Sequence, residues 1–223
     1  DRPLAGLNTG IDVRRTRIKV CGFTREADLD GALALGVDAV GFVLYPPSPR
    51  AVSIARAAEL ARRVPPFVCR VGLFVNEAPE VVEQAVREAG LDLLQFHGDE
   101  SPEYCERFGR PWIKAVRVRP ETDLLECARL YRGARGLLLD AWSEAWGGSG
   151  KRFDWTLIPA DLGLPLILSG GLDPDNVADA VANIRPMAVD VSSGVESGKG
   201  IKDVARVAAF ISGVEHGEAR SAG

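Results

Sequence analysis

Only two histidines occur in the 223 residues, His97 and His216, and they lie far apart. The four cysteines, Cys21, Cys69, Cys105 and Cys127, never fall in a C-x-x-C pair. That spacing excludes the usual structural zinc motifs, and a chain of this size with so few thiols does not suggest a disulfide framework. A reducing, cytoplasmic setting is the reading. There is no basic surplus either. The formal net charge of −4 argues against a nucleic-acid partner, because nothing is left over to neutralise phosphates in bulk. It leaves room for a local anion site built from backbone amides. No apolar run reaches the roughly 18 residues of a membrane span, so no membrane partner is expected. The segment 1–16, DRPLAGLNTGIDVRRT, lacks the apolar core of a signal peptide and reads as a mobile extension. The polar tail after about Ser212, residues 214–223 in the domain division, reads as frayed.

What the chain does have is hydrophobic content of 46% with 26% charged residues, the balance of a soluble globular protein long enough to bury a sizeable core. Eight short apolar runs recur along it: RIKVCG (17–22), AVGFVLY (39–45), CRVGLFV (69–75), LDLLQFHG (91–98), PWIKAVRV (111–118), ARGLLLD (134–140), PLILSGG (165–171) and AVDVSSG (188–194). They are too continuous for strands with one wet face and match buried parallel strands. Helix-period segments separate them. Thr24, Ser53 and Ser101 stand as caps, Pro79 and Pro102 sit in first turns, and Gly90 closes the third helix. The segment between the sixth and seventh runs, near Asp154–Pro159, is the weakest helix. No linker divides these units. An α/β fold with a single (β/α)8 TIM barrel over 17–213 accounts for the count and length better than an open doubly wound sheet.

In a barrel of this kind every strand's C-terminal end faces one rim, where chemistry sits. Cys21 closes the first strand ahead of a helix N-terminus, whose dipole would favour the thiolate. Cys69, Cys105 and Cys127 read as core or surface residues. Asp140 closes the sixth strand after three leucines, and an apolar wall there would favour its protonated form and general-acid work. Arg50 follows the stiff loop YPPSP and suits a substrate carboxylate, gripped through two parallel hydrogen bonds. SGGL (169–172), with Gly170 and Gly171, and SSGVE (192–196), with Ser192, Ser193 and Gly194, follow the last two strands. Glycines at those two loops let backbone approach one phosphate. His97 ends the fourth strand, either lining the pocket or held as a structural histidine, and Asp190 precedes Ser192 where it can order the rim. GGSGK (147–151) fails as a nucleotide P-loop, because Ala145 and Arg152 stand at required Gly and Ser/Thr positions. It reads as a hinged loop that can close over a ligand.

Taken in order, KVCGFT, GFVLYPPSPR, RVGLFVN, LQFHGDE, LLLDAW, GGSGKRFDW, LILSGGLDPDNV and VDVSSGVE resemble the blocks of the phosphoribosylanthranilate isomerase family of tryptophan biosynthesis. The resemblance implies an Amadori rearrangement of a phosphoribosyl amine. In it Cys21 is the general base, Asp140 the general acid and Arg50 the holder of the anthranilate carboxylate. Gly170, Gly171, Ser193 and Gly194 lie in the phosphate loops. It implies a small phosphosugar substrate, a monomer or homodimer, and no metal, redox cofactor or nucleotide. Two alternatives stand beside it. A histidine-pathway isomerase would carry an aspartate at position 21 and a second phosphate site. A non-catalytic phosphosugar-binding barrel would have lost the acid, the base or the arginine.

Overall fold

The computed structural model describes residues 15–141 and 152–221. Eight parallel strands close into a barrel in chain order: β1 (Arg17–Cys21), β2 (Ala39–Val43), β3 (Cys69–Phe74), β4 (Leu93–Phe96), β5 (Trp112–Val118), β6 (Leu137–Ala141), β7 (Leu166–Leu168) and β8 (Ala188–Val191). Strand β8 returns to pair with β1, with Lys19 opposite Asp190, so no edge is left open. Helices α1 (Glu26–Ala34), α2 (Ile54–Ala61), α3 (Pro79–Ala89), α4 (Pro102–Glu106), α5 (Leu124–Leu130), α6 (Val177–Ile184) and α7 (Val204–Ser221) connect and cover the strands. Between β6 and β7, where the sequence pattern was weakest, the described residues hold one 3-10 turn, Trp155–Leu157. A short hairpin, β9 (Glu196–Gly198) with β10 (Ile201–Lys202), follows β8.

Strand alternation decides what reaches the barrel interior. In β1, Ile18 and Val20 pack outward into the main helix-facing core, and Cys21 joins an interior cluster with Val43, Leu73 and Val75. In β6, Leu137 and Leu139 face the helices, while Leu138 packs inside with Ile113, Ala115, Ile167 and Ala188. The lower interior is therefore mainly apolar. Polar groups begin above it, at the ends where β1, β4, β6 and β8 emerge.

Ser53 and Ser101 cap α2 and α4 as expected, accepting from the N–H of Arg56 and Tyr104. Gly90 ends α3 in the left-handed region at φ 60°. Thr24 does not cap α1. That helix starts after Arg25 without a side-chain cap, and the Thr24 hydroxyl donates instead to the Gly200 carbonyl at 2.5 Å, tying the first loop to the hairpin. The C-terminal tail is also not frayed over its described length: α7 runs to Ser221. Gly213 and Gly217, four residues apart, let it lie close on α6; a Cβ at 217 would come within 2.6 Å of the Ala178 carbonyl. Arg220 pairs with Asp179, and Arg185 donates to the Ser221 carbonyl. At the other end, Arg15 grips Asp38 and the Thr16 N–H donates to Glu218, so these two residues are held on the barrel. The remainder of the expected extension, 1–14, and the expected closing loop, 147–151, lie outside the described residues. No described helix is long and apolar enough to cross a membrane.

Candidate active site

One cavity at the C-terminal rim brings the candidate residues together. Cys21, Arg50, His97, Asp140, Gly170, Gly171, Asp190, Ser192 and Ser193 all line it, with Ser48, Gln95 and Ser169 beside them. Gly194 does not. It packs beneath the rim against Leu172, whose carbonyl would lie 2.0 Å from a Cβ at that position, so its role is close approach of two loops.

Cys21 is buried, and its sulfur faces Gly41 of β2, where an added Cβ would lie 2.5 Å from Sγ. The glycine clears space for the thiol. Burial raises the Cys21 pKa above its ordinary value, against the lowering influence of Lys19 and Lys202. This corrects the expectation of a thiol lowered by a helix dipole. Helix α1 starts at Glu26, beyond Gly22–Arg25, too far along the chain for its first turn to dominate the sulfur.

Asp140 is held at both oxygens. Its Oδ1 accepts from the Ala141 N–H at 2.8 Å, and its Oδ2 lies 3.1 Å from His97 Nε2. On the far side of the ring, Gln95 Nε2 lies 3.0 Å from His97 Nδ1. Gln95 and His97 are two residues apart and so share one face of the emerging strand. The Gln95 carbonyl oxygen is fully buried without a hydrogen-bond partner, on the wall of the cavity. An unsatisfied acceptor there favours a ligand that brings a hydroxyl or N–H. Sequence reasoning passed over Gln95. The signal was a polar residue at an inward position of an apolar strand.

Arg50 is buried, and it already holds a carboxylate. Its Nε and Nη2 donate to Glu196 Oε1 and Oε2 at 2.7 and 2.9 Å. The side-on pair of hydrogen bonds expected for a substrate is therefore filled by the protein, and the end-on Nη1/Nη2 edge is the one left to a ligand. Lys202, also buried, reaches the same Glu196 Oε1 at 2.8 Å and the Ser192 hydroxyl at 3.2 Å. Burial would raise the Glu196 pKa, but the hydrogen bonds and charges of Arg50 and Lys202 hold it below its ordinary value. Two cations on one carboxylate leave a positive surplus beside the cavity, which an anionic ligand would neutralise.

In the loop after β7, Gly170 and Gly171 have φ of 83° and 67°. A Cβ at Gly170 would meet the Ala141 nitrogen at 2.5 Å and Asp140 Oδ1 at 3.0 Å, so this loop is pressed against the acid. The Gly171 carbonyl accepts from Asn176, which fixes the turn ahead of α6. Across it, Ser192 donates from its hydroxyl to the Cys21 carbonyl at 2.9 Å, joining the last loop to the first strand.

A family model described as N-(5'-phosphoribosyl)anthranilate (PRA) isomerase matches residues 18–213. A protein named N-(5'-phosphoribosyl)anthranilate isomerase from Dechloromonas aromatica is 61% identical over 200 residues, which is 90% of this chain and 96% of that protein. The solved phosphoribosyl anthranilate isomerase of Thermotoga maritima superposes with a TM-score of 0.82 at 42% identity, covering 90% of this chain and 98% of that one. A further solved isomerase of the same name, in complex with reduced 1-(o-carboxyphenylamino)-1-deoxyribulose 5-phosphate, gives a TM-score of 0.79 at 40% identity with the same coverage.

Proposed function

This chain belongs to the N-(5'-phosphoribosyl)anthranilate isomerase family, and on that premise we propose that Cys21 and Asp140 are the base and acid of its reaction. The reaction is the Amadori rearrangement of N-(5-phospho-β-D-ribosyl)anthranilate to 1-(2-carboxyphenylamino)-1-deoxy-D-ribulose 5-phosphate, a step of tryptophan biosynthesis. Asp140 protonates the furanose ring oxygen as the C1–O bond breaks, and the anthranilate nitrogen supplies the electron pair that makes C1 an iminium. That cation acidifies the C2–H bond. The Cys21 thiolate takes the C2 proton, and the bonding pair moves to C1=C2, giving a neutral enolamine. Protonation at C1 and loss of the O2 proton give the ketone. An acid and a base must act on adjacent carbons of one sugar, and anchoring both ends of the substrate turns remote binding energy into that alignment.

The observation that carries this reading is the shared cavity of Cys21 and Asp140. The glycine loop 170–171 and Ser192–Ser193 line the same cavity and are assigned to the phosphate. The end-on edge of Arg50 is assigned to the anthranilate carboxylate, and the orphaned Gln95 oxygen to a sugar hydroxyl. The test is a fluorescence assay with freshly made phosphoribosylanthranilate, run beside the two-phosphate histidine-pathway substrate. Loss of anthranilate-type signal with the first alone supports the reading. Turnover of the second, or of neither, overturns it.

Arg50 gives a second expectation, because its partner is a protein carboxylate as well as the substrate. Arg50→Ala removes the charge that meets the substrate and leaves Glu196 with Lys202 alone. KM should rise by about tenfold to a hundredfold, the loss of a charge-assisted contact of about 1.5–3 kcal/mol, with kcat changed far less. Steady-state kinetics check it, and a kcat loss at unchanged KM would remove the carboxylate role.

A further inference from the structure

Two residues before Cys21, on the same inward face of β1, stands Lys19, a lysine in the barrel interior that the reaction above does not use. It is 5% exposed. Its Nζ donates to Asp190 Oδ1 at 2.8 Å, and Asp190 Oδ2 accepts from the Ser169 hydroxyl at 3.2 Å. An ammonium is costly to bury and is retained where its charge is paired. Asp190 pairs it, but the pair's position says more. Asp190 and Ser169 both sit on the cavity wall with Cys21. Lys19 and Cys21 are two residues apart on one inward face of β1, so the ammonium stands beside the sulfur and the two influence each other's charge.

We propose that Lys19 is the positioning residue that makes the Cys21 sulfur usable as a base, offsetting part of the cost of burying its thiolate through an ammonium whose place Asp190 and Ser169 fix. The inference rests on the assignment of Cys21 as base. Its physical need is plain. Burial is the largest influence on the Cys21 thiol and pushes it up, so a thiolate in that wall requires a compensating cation. Of the charged groups around the sulfur, Lys19 is the strongest lowering influence, Lys202 from β10 is weaker, and Asp190 acts the other way. Strand β2 offers only Gly41 at this point, and Arg50 is committed to Glu196. Burial likewise works to lower Lys19, but Asp190 and Cys21 together leave its pKa raised, so the ammonium persists through the working pH range.

The test reads the thiol directly, apart from turnover. Iodoacetamide alkylation of Cys21, resolved by peptide mass spectrometry across a pH series, is compared in wild type, Lys19→Met, Lys19→Gln and Lys19→Arg. Peptide resolution matters because Cys69 and Cys105, pushed up to about 11 and about 12 chiefly by burial, titrate in their own ranges. The midpoint for Cys21 should move upward by about one unit or more in Lys19→Met, so that at a pH below both midpoints it alkylates about tenfold more slowly. Turnover should fall in parallel and recover toward high pH with KM little changed. Lys19→Arg should keep the midpoint near wild type. Lys19→Gln, which can still hydrogen-bond Asp190, should behave like Lys19→Met and serves where the methionine variant does not fold. An alkylation midpoint unmoved in both neutral variants overturns the inference and leaves Cys21 as base. A Cys21→Ala protein of full turnover removes the base and leaves the alkylation shift standing.

Discussion

Cys21→Ala should lower kcat by about 10²–10⁴-fold with the barrel intact, the range over which a positioned base contributes to proton transfer. The variant removes one sulfur from a wall already lined by Val43, Leu73 and Val75, so folding should survive, as circular dichroism would check. Cys21→Ser is the sharper comparison. It restores nearly the same volume but replaces a thiol with a hydroxyl, whose anion is far less accessible at neutral pH. Its turnover should resemble that of Cys21→Ala. The pH dependence follows in sign from the burial of the thiol. The base works only when deprotonated, and its pKa is raised, so kcat/KM should climb with pH on its acid limb and reach its plateau later than an exposed cysteine would allow. A Cys21→Ala enzyme within about threefold of wild type would end the assignment, because no general base of ordinary strength is worth so little.

Much of this site was legible because a barrel converts sequence position into place. The C-terminal residue of an apolar run lands on the rim, so Cys21, His97 and Asp140 could be named from their runs alone. What the runs concealed were polar residues inside them. Lys19 and Gln95 each stand two residues before a named rim residue, and alternation puts them on the same inward face, one layer deeper. Each interrupts an otherwise apolar stretch. Read with period two, they mark where the apolar interior gives way to the site. The partner of Arg50 was hidden for another reason. Glu196 is distant along the chain, and only the hairpin after β8 carries it back over the β2 loop. A loop arginine just after three prolines looked ready for a substrate, and the fold had already given half of its fork away. Local rules failed similarly at two ends of helices. Thr24 has the chemistry of a cap but is recruited by Gly200, and the glycines of α7 look like terminators but are a notch for α6.

The carboxyl at 140 is the other group on which turnover depends. Asp140→Asn keeps the shape, keeps an oxygen to accept from Ala141 and keeps a group beside His97. It loses only the ability to give up a proton at reasonable cost. kcat should fall by about 10²–10⁴-fold, the usual contribution of a positioned acid, while KM and binding of a reduced product analogue stay near wild type. The two catalytic variants should also fail at different bonds. Without Asp140 the ring does not open, and breaking C1–O limits the rate. Substrate carrying deuterium at C2 should then react with an isotope effect close to unity. With Cys21→Ser the ring opens and the C2 proton waits for a poor base, so the same substrate should show a full primary effect. A primary effect of equal size in both variants would mean that Asp140 acts on proton removal and not on ring opening. The cavity contains the means for that alternative, since His97 bridges Asp140 to Gln95 and could couple the carboxyl to other protons. The isotope comparison distinguishes the two cases where the size of the kcat loss does not.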